Sequence, residues 1–289
     1  MDFTWSPMRM EIKTNLEMNR LRIILKPIMP ILTAVYGFMM IYMTALPMAD
    51  GNETLGRQVL SWVLTLVAIA LTYIIVHRVE PKVFPEAKQF SLKLPKPTIG
   101  LGVLLLAPLW CVAEGYVVYG LTSLIHIVHF EAISYTPEEL REDLLASIHA
   151  VLLAPVLEEL CYRQLALSPF RRCKAQIMVC FVMALLFGIL HVRNFLGASL
   201  AAMLYGIVFI WTRNIWYAVL LHAGHNLAAT LLAVYCTLGL GEIRMSKMPV
   251  IILSDTKIVF VAVVLAVIGL IILQRSSRGC RLGSSTNPT

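Results

Sequence analysis

Eight apolar runs, each near the length that crosses a bilayer and parted by short polar connections, leave this chain few ways to fold. They lie at about 28–46, 59–76, 97–124, 145–167, 175–190, 195–211, 215–238 and 258–273. A helix of about 20 apolar residues spans the hydrocarbon core of a membrane, where only helices and closed barrels satisfy every backbone N–H and C=O. Hydrophobic residues make up 58% of the chain and charged residues 14%, against roughly 45–50% and 25% in soluble domains. The mean hydropathy is +0.77. The predicted fold is an all-α polytopic membrane protein of about eight transmembrane helices. The run at 97–124 is long enough to require a tilt or a break.

Charge sets the expected orientation. Lys and Arg collect in cytoplasmic loops, so the net charge of +7 is read first as topology. Arg78, Lys82, Lys88, Lys93 and Lys96 crowd one connection, and Arg171, Arg172, Lys174 and Arg213 mark two more on the same side. The loop with Asp50 and Glu53, and the acidic stretch 127–144, belong on the other side. Arg244 and Lys247 run against this pattern. Both termini come out cytoplasmic, with an N-terminal segment 1–27, a transmembrane domain 28–274 and a flexible tail 275–289. The first apolar run is too long for a signal-peptide core and is expected to be the first span. The chain is expected to be a multi-pass integral membrane protein, in a bacterial cytoplasmic membrane. Thr136-Pro137-Glu138-Glu139 is a capping box that should start a helix at Pro137. No nucleic-acid-binding module is present. The six cysteines have no metal-ligand spacing.

Within the fourth run stand charges that lipid should not tolerate: Glu158, Glu159 and Arg163. Intramembrane charge is by default a functional-site signal. Arg163 follows Glu159 by four residues, the favourable order for an ion pair along a helix. Adjacent residues point about 100° apart, so Glu158 and Glu159 are expected to face different neighbours. Glu158 is then left without a local cation. Pro155 removes an N–H one turn earlier, and breaks at membrane depth occur where helices line protein or a watery cavity. Glu114, in the third run, is a second acid that could border a cavity, although an interfacial position is the commoner one.

Further polar residues fall at similar depth. At about 1.5 Å of rise per residue from the basic turns, Glu158 and Asn226 lie roughly 18 Å in, His222 about 12 Å and His191 about 25 Å. Four groups from three helices can therefore share one pocket. His222 and Asn226 are on one face of their helix, and His225 borders it. Together they suit amide hydrolysis: Glu158 and His191 to deprotonate a water, His222 and Asn226 to donate hydrogen bonds to the oxyanion. One Glu and two His would equally serve as three ligands of a catalytic Zn²⁺. No cofactor is expected in the metal-free version, which is favoured because it gives Asn226 a role. A Gly-x-Ser-x-Gly elbow and a His-Glu-x-x-His helix are both absent.

Glu158-Glu159-x-x-x-Arg163, Phe187-x-x-x-His191 and His222-x-x-x-Asn226, in this order on successive helices, resemble the three motifs of the CAAX prenyl endopeptidases, also called the CPBP or Abi intramembrane proteases. The resemblance covers about 145–229. It implies a glutamate-dependent or metallo-endopeptidase with Glu158 and His191 as the water-activating pair, His222 and Asn226 as the oxyanion site, and Glu159 and Arg163 in support. It implies a peptide or membrane-protein substrate, with or without a lipid, met in the bilayer. Eukaryotic members trim prenylated proteins; nothing in this chain specifies prenylation. Two other readings are a non-catalytic membrane scaffold, such as an immunity or regulatory protein of the same family, and an ion-coupled transporter. The transporter is disfavoured because the polar residues show no repeat symmetry.

Overall fold

An apolar chain in lipid must satisfy its backbone within each segment, and among the described residues helices do so in every apolar run. The computed structural model describes residues 7–45, 55–125, 137–191, 194–240 and 256–282. Helices α1 (Pro7–Ala45), α2 (Leu55–Ile74) and α3 (Pro97–Ile125) come first. They are followed by α4 (Pro137–Leu152), α5 (Ala154–Glu159), α6 (Cys173–Leu190), α7 (Phe195–Thr212), α8 (Ile215–Leu240) and α9 (Thr256–Leu282). Among the described residues the β pairing is a single isolated bridge, Ser91 with Asn214. Among the described residues seven helices are long and apolar enough to cross a membrane. The apolar part of α9, Lys257–Leu273, is shorter, so the eighth expected span falls just below that length.

Helix α2 shows how such a bundle is built. It buries Gln58, Ser61, Thr65, Ala68 and Thr72, spaced three and four apart, and leaves Leu66, Val67 and Leu71 exposed. The usual amphipathic pattern is inverted: the polar stripe faces protein and the apolar face meets lipid. Ser61 Oγ donates to the carbonyl of Thr44 at 2.6 Å, and the hydroxyls of Tyr36 and Thr72 share a hydrogen bond at 2.8 Å, tying α2 to α1. In lipid such polar contacts and close packing replace hydrophobic attraction between helices.

The fourth span is in pieces. A turn at Leu153, just before Pro155, separates α4 from α5, and Leu160–Leu165 continues as a π-helix. The break expected from Pro155 is present. The third span stays continuous as α3, with Pro108 inside it. Helix α9 runs to Leu282, past the expected end near 273. Helix α4 starts at Pro137, the residue after the capping Thr136, which itself lies outside the described residues together with Asp50, Glu53, Arg244 and Lys247.

The basic connections meet at one end of the bundle. Ser91 N–H donates to the Arg213 carbonyl at 2.7 Å, and Trp216 Nε1–H to that of Leu92 at 2.8 Å. Gln89 Nε2 donates to the Phe170 carbonyl at 3.1 Å, and Lys26 pairs with Glu86 at 3.1 Å. The middle of α1, at Lys26, and three connections therefore share one face, as their Lys and Arg content predicts.

Candidate active site

The polar core begins with the π-helix. Placed directly after Glu159, this wider turn keeps Arg163 beside the acid four residues earlier, and π-turns recur at functional sites. Arg163 Nη1 lies 3.0 Å from Glu159 Oε1, with both side chains buried. A second guanidinium nitrogen donates to the Ala202 carbonyl on α7 at 3.0 Å. The rings of Phe187 and Tyr205 lie 5.2 and 5.7 Å from the Arg163 guanidinium carbon. Salt bridge, carbonyl and aromatic faces together compensate a cation taken out of water.

His222 then links the two glutamates. Its Nδ1 is 2.9 Å from Glu159 Oε1, and its Nε2 is 3.7 Å from Glu158 Oε2. This corrects the expectation that the adjacent acids face different neighbours: the 100° offset sends them to opposite sides of one imidazole, and three side-chain torsions on each cover the rest. Glu159, paired with Arg163, accepts, so Nδ1 carries the proton and Nε2 is turned to Glu158. Glu158 has neither Lys nor Arg against it among the described contacts and is 8% exposed. The gap of 3.7 Å is of the size at which a water can bridge two polar groups.

His191 joins through an aromatic side chain. It caps the C-terminus of α6, is exposed, and its Nδ1 is 2.8 Å from the Phe187 carbonyl. The Phe187 ring stacks on His191 at 4.3 Å and meets His222 edge-on at 6.1 Å. The Phe-x-x-x-His spacing thus puts one ring against both imidazoles. Among the described contacts the link from His191 to Glu158 runs through Phe187 and His222, and both His191 and Arg163 act on Glu158 at longer range than a direct contact. Asn226, one turn beyond His222, donates from Nδ2 to the Ala150 carbonyl at 2.8 Å, on the turn of α4 just before the break. Glu158, Glu159, Arg163 and His222 therefore form one contact chain, with His191 and Asn226 flanking it.

A neighbouring cluster was only partly legible. His225 is turned away from Glu158 towards Glu114, with Nε2 3.3 Å from Glu114 Oε2. Its Nδ1 is hydrogen-bonded to the Tyr205 hydroxyl. The Tyr205 ring stacks on His222 at 4.6 Å and so joins the two clusters. Glu114 is buried within the protein and faces His225. The available signal was an intramembrane acid with no cation within one turn. Tyr205 gave no signal, because it lies among the small residues of α7.

A zinc site would need Glu158, His191 and His222 to converge on one point. Among the described residues no three His, Cys, Asp or Glu side chains are placed to hold a metal ion.

The fold and its buried charges define a multi-pass helical membrane protein with a Glu/His polar core. Residues 140–228 match the family described as Rce1-like, type II CAAX prenyl endopeptidase. The match takes in all three motifs and supports the resemblance seen in them; it spans less than a third of the chain. No curated protein and no solved structure matches the chain.

Proposed function

We propose that the chain is an intramembrane endopeptidase in which Glu158 and His191 activate the attacking water. The observation that carries this reading is the ordered contact chain Arg163–Glu159–His222–Glu158, which ends on an acid without a fixed cation. A carboxylate so placed can take a proton from water and return it to the leaving amine, the two tasks amide hydrolysis requires. His191, exposed at the helix end, holds the water from the other side. As the carbonyl becomes tetrahedral, negative charge grows on its oxygen. His222 acts as an imidazolium that has taken its second proton from solvent before the substrate enters. Its Nδ1–H stays on Glu159 while Nε2–H donates a hydrogen bond to the oxyanion and keeps its proton throughout; Asn226 has one amide N–H beyond that given to Ala150. Glu159 and Arg163 hold His222 in orientation.

The substrate is a peptide bond presented from the bilayer, in a lipidated peptide or a membrane protein. The experiment is cleavage of a quenched peptide, prenylated and unprenylated, by the purified full chain in lipid nanodiscs, with and without a zinc chelator. Cleavage lost in Glu158→Gln and unaffected by chelator is the expected result. Cleavage abolished by the chelator and restored by Zn²⁺ would replace this mechanism with a metal-dependent one. No cleavage of either peptide, with the cellular phenotype retained in Glu158→Ala and His191→Ala, would favour the scaffold reading.

A further inference from the structure

At the basic end of the bundle, away from the motifs, is a cavity of about 780 Å³ whose wall includes Arg22, Lys26, Arg171 and Glu86. Three cations stand against one carboxylate, so the wall is positive. The cations come from separate segments: Arg22 and Lys26 from one face of α1, and Arg171 from the turn after the π-helix.

Two of these groups are held in place. Arg22 Nε donates to the Val83 carbonyl at 2.6 Å, Nη1 to Asn19 Oδ1 at 3.1 Å and Nη2 to the Lys82 carbonyl at 3.3 Å. Three of its five N–H groups are thereby used and two remain. Lys26 spends one N–H on Glu86 and lies 5.7 Å from the centre of the Phe170 ring. Arg171 is exposed, at the point where the chain leaves the bundle. Positioned cations with spare donors match a phosphate, which offers several acceptor oxygens and a full negative charge.

The same cavity has an apolar side. Ile23, between Arg22 and Lys26, is 73% exposed, and Phe84 contributes an aromatic wall. Arg22 and Lys26 come just before the apolar run that starts near Ile28, where the hydrocarbon layer gives way to headgroups. A soluble phosphate has no use for a bare isoleucine; a lipid brings acyl carbons along with its phosphate.

We infer that this cavity binds the phosphate headgroup of an anionic phospholipid, with the glycerol end against Ile23 and the acyl chains running past Lys26 along the exposed Ile28, Ile31 and Leu32 of α1. The inference is independent of the proposed catalytic reading. Basic pockets between membrane helices recognise headgroups in this way, and each well-placed Lys or Arg contributes about five-fold in affinity.

The test is native mass spectrometry of the full-length protein in detergent, titrated with phosphatidylglycerol or phosphatidylcholine. Phosphatidylglycerol is expected to bind about tenfold more tightly than phosphatidylcholine. Arg171→Gln and Lys26→Gln should each weaken it about five-fold, and Arg171→Lys should restore it. Arg172→Gln removes an exposed charge at the same end but outside the cavity, and should leave binding unchanged. Equal binding of the two lipids, or an equal loss in Arg172→Gln, overturns the site. Displacement of phosphatidylglycerol by millimolar inorganic phosphate overturns the lipid assignment in favour of a free anion. Arg171 is exposed, so its variants test the site without depending on buried packing.

Discussion

Arg163 and Glu158 differ in what each would leave behind if removed. Arg163 compensates Glu159, which is fully buried. Arg163→Ala strands that charge and should cost about 3–5 kcal/mol of stability, measured as a fall in melting temperature and in yield. Glu158 has no Lys or Arg in direct contact, only the His222 imidazole at 3.7 Å. Glu158→Gln should therefore melt near the wild type while hydrolysis falls by about 10²–10⁴-fold, the usual contribution of a positioned acid–base group. Equal behaviour of the two variants in both assays would refute that division of roles. Tyr205→Phe is an intermediate case: it deprives His225 of its hydroxyl partner but keeps the ring stacked on His222. It should cost about 1–3 kcal/mol for the unsatisfied group and lower hydrolysis less than Glu158→Gln does, as read by melting and peptide cleavage in parallel.

At the scale of elements, the docking of α9 rests on glycines. A side-chain carbon at Gly269 would come within 2.6 Å of the Gly102 carbonyl on α3, and one at Gly102 within 3.1 Å of the Gly269 carbonyl. The two backbones touch there, as small residues permit in lipid. Gly269→Ala must push α9 off α3 at a cost of about 1–3 kcal/mol. Hydrogen exchange should quicken in α9 and leave α5 protected; unchanged exchange in α9 would mean the contact is not needed. These pairings show what sequence patterns leave out. The apolar runs located the helices, because lipid demands unbroken apolar sequence. Pro155 announced the break before Glu158, because a missing N–H is local. That Gly102 meets Gly269, or that α5 continues as a π-turn, depends on partners distant in sequence. The motif residues were legible because each is costly in lipid, while Tyr205, an ordinary aromatic residue in its own helix, acquired its place only through His222 and His225.

Across the whole molecule, two polar regions divide the bundle: the Glu/His core on α5, α6 and α8, and the cationic end where α1 meets the connections. The Lys26–Glu86 pair belongs to the second. Partial burial opposes the charge of Glu86, but its own backbone N–H, Lys26 and Arg171 outweigh that and hold the carboxyl below its usual range. A lowered folded-state value contributes stability above the unfolded carboxylate value, lost as pH falls through the folded one. Acidification below about pH 4.5 should thus lower the melting temperature more in the wild type than in Glu86→Gln. Identical acid profiles would show that the pair does not hold α1 to this end.

The central claim, that Glu158 and His191 work as one water-activating unit inside the membrane, is tested most directly by a double-mutant cycle on peptide cleavage. Glu158→Gln, His191→Gln and the double variant are compared in nanodiscs at equal folded fraction. The account predicts that the double variant is no slower than the slower single one, because groups that act on one water fail together. Losses that multiply, or cleavage that survives Glu158→Gln, would contradict it.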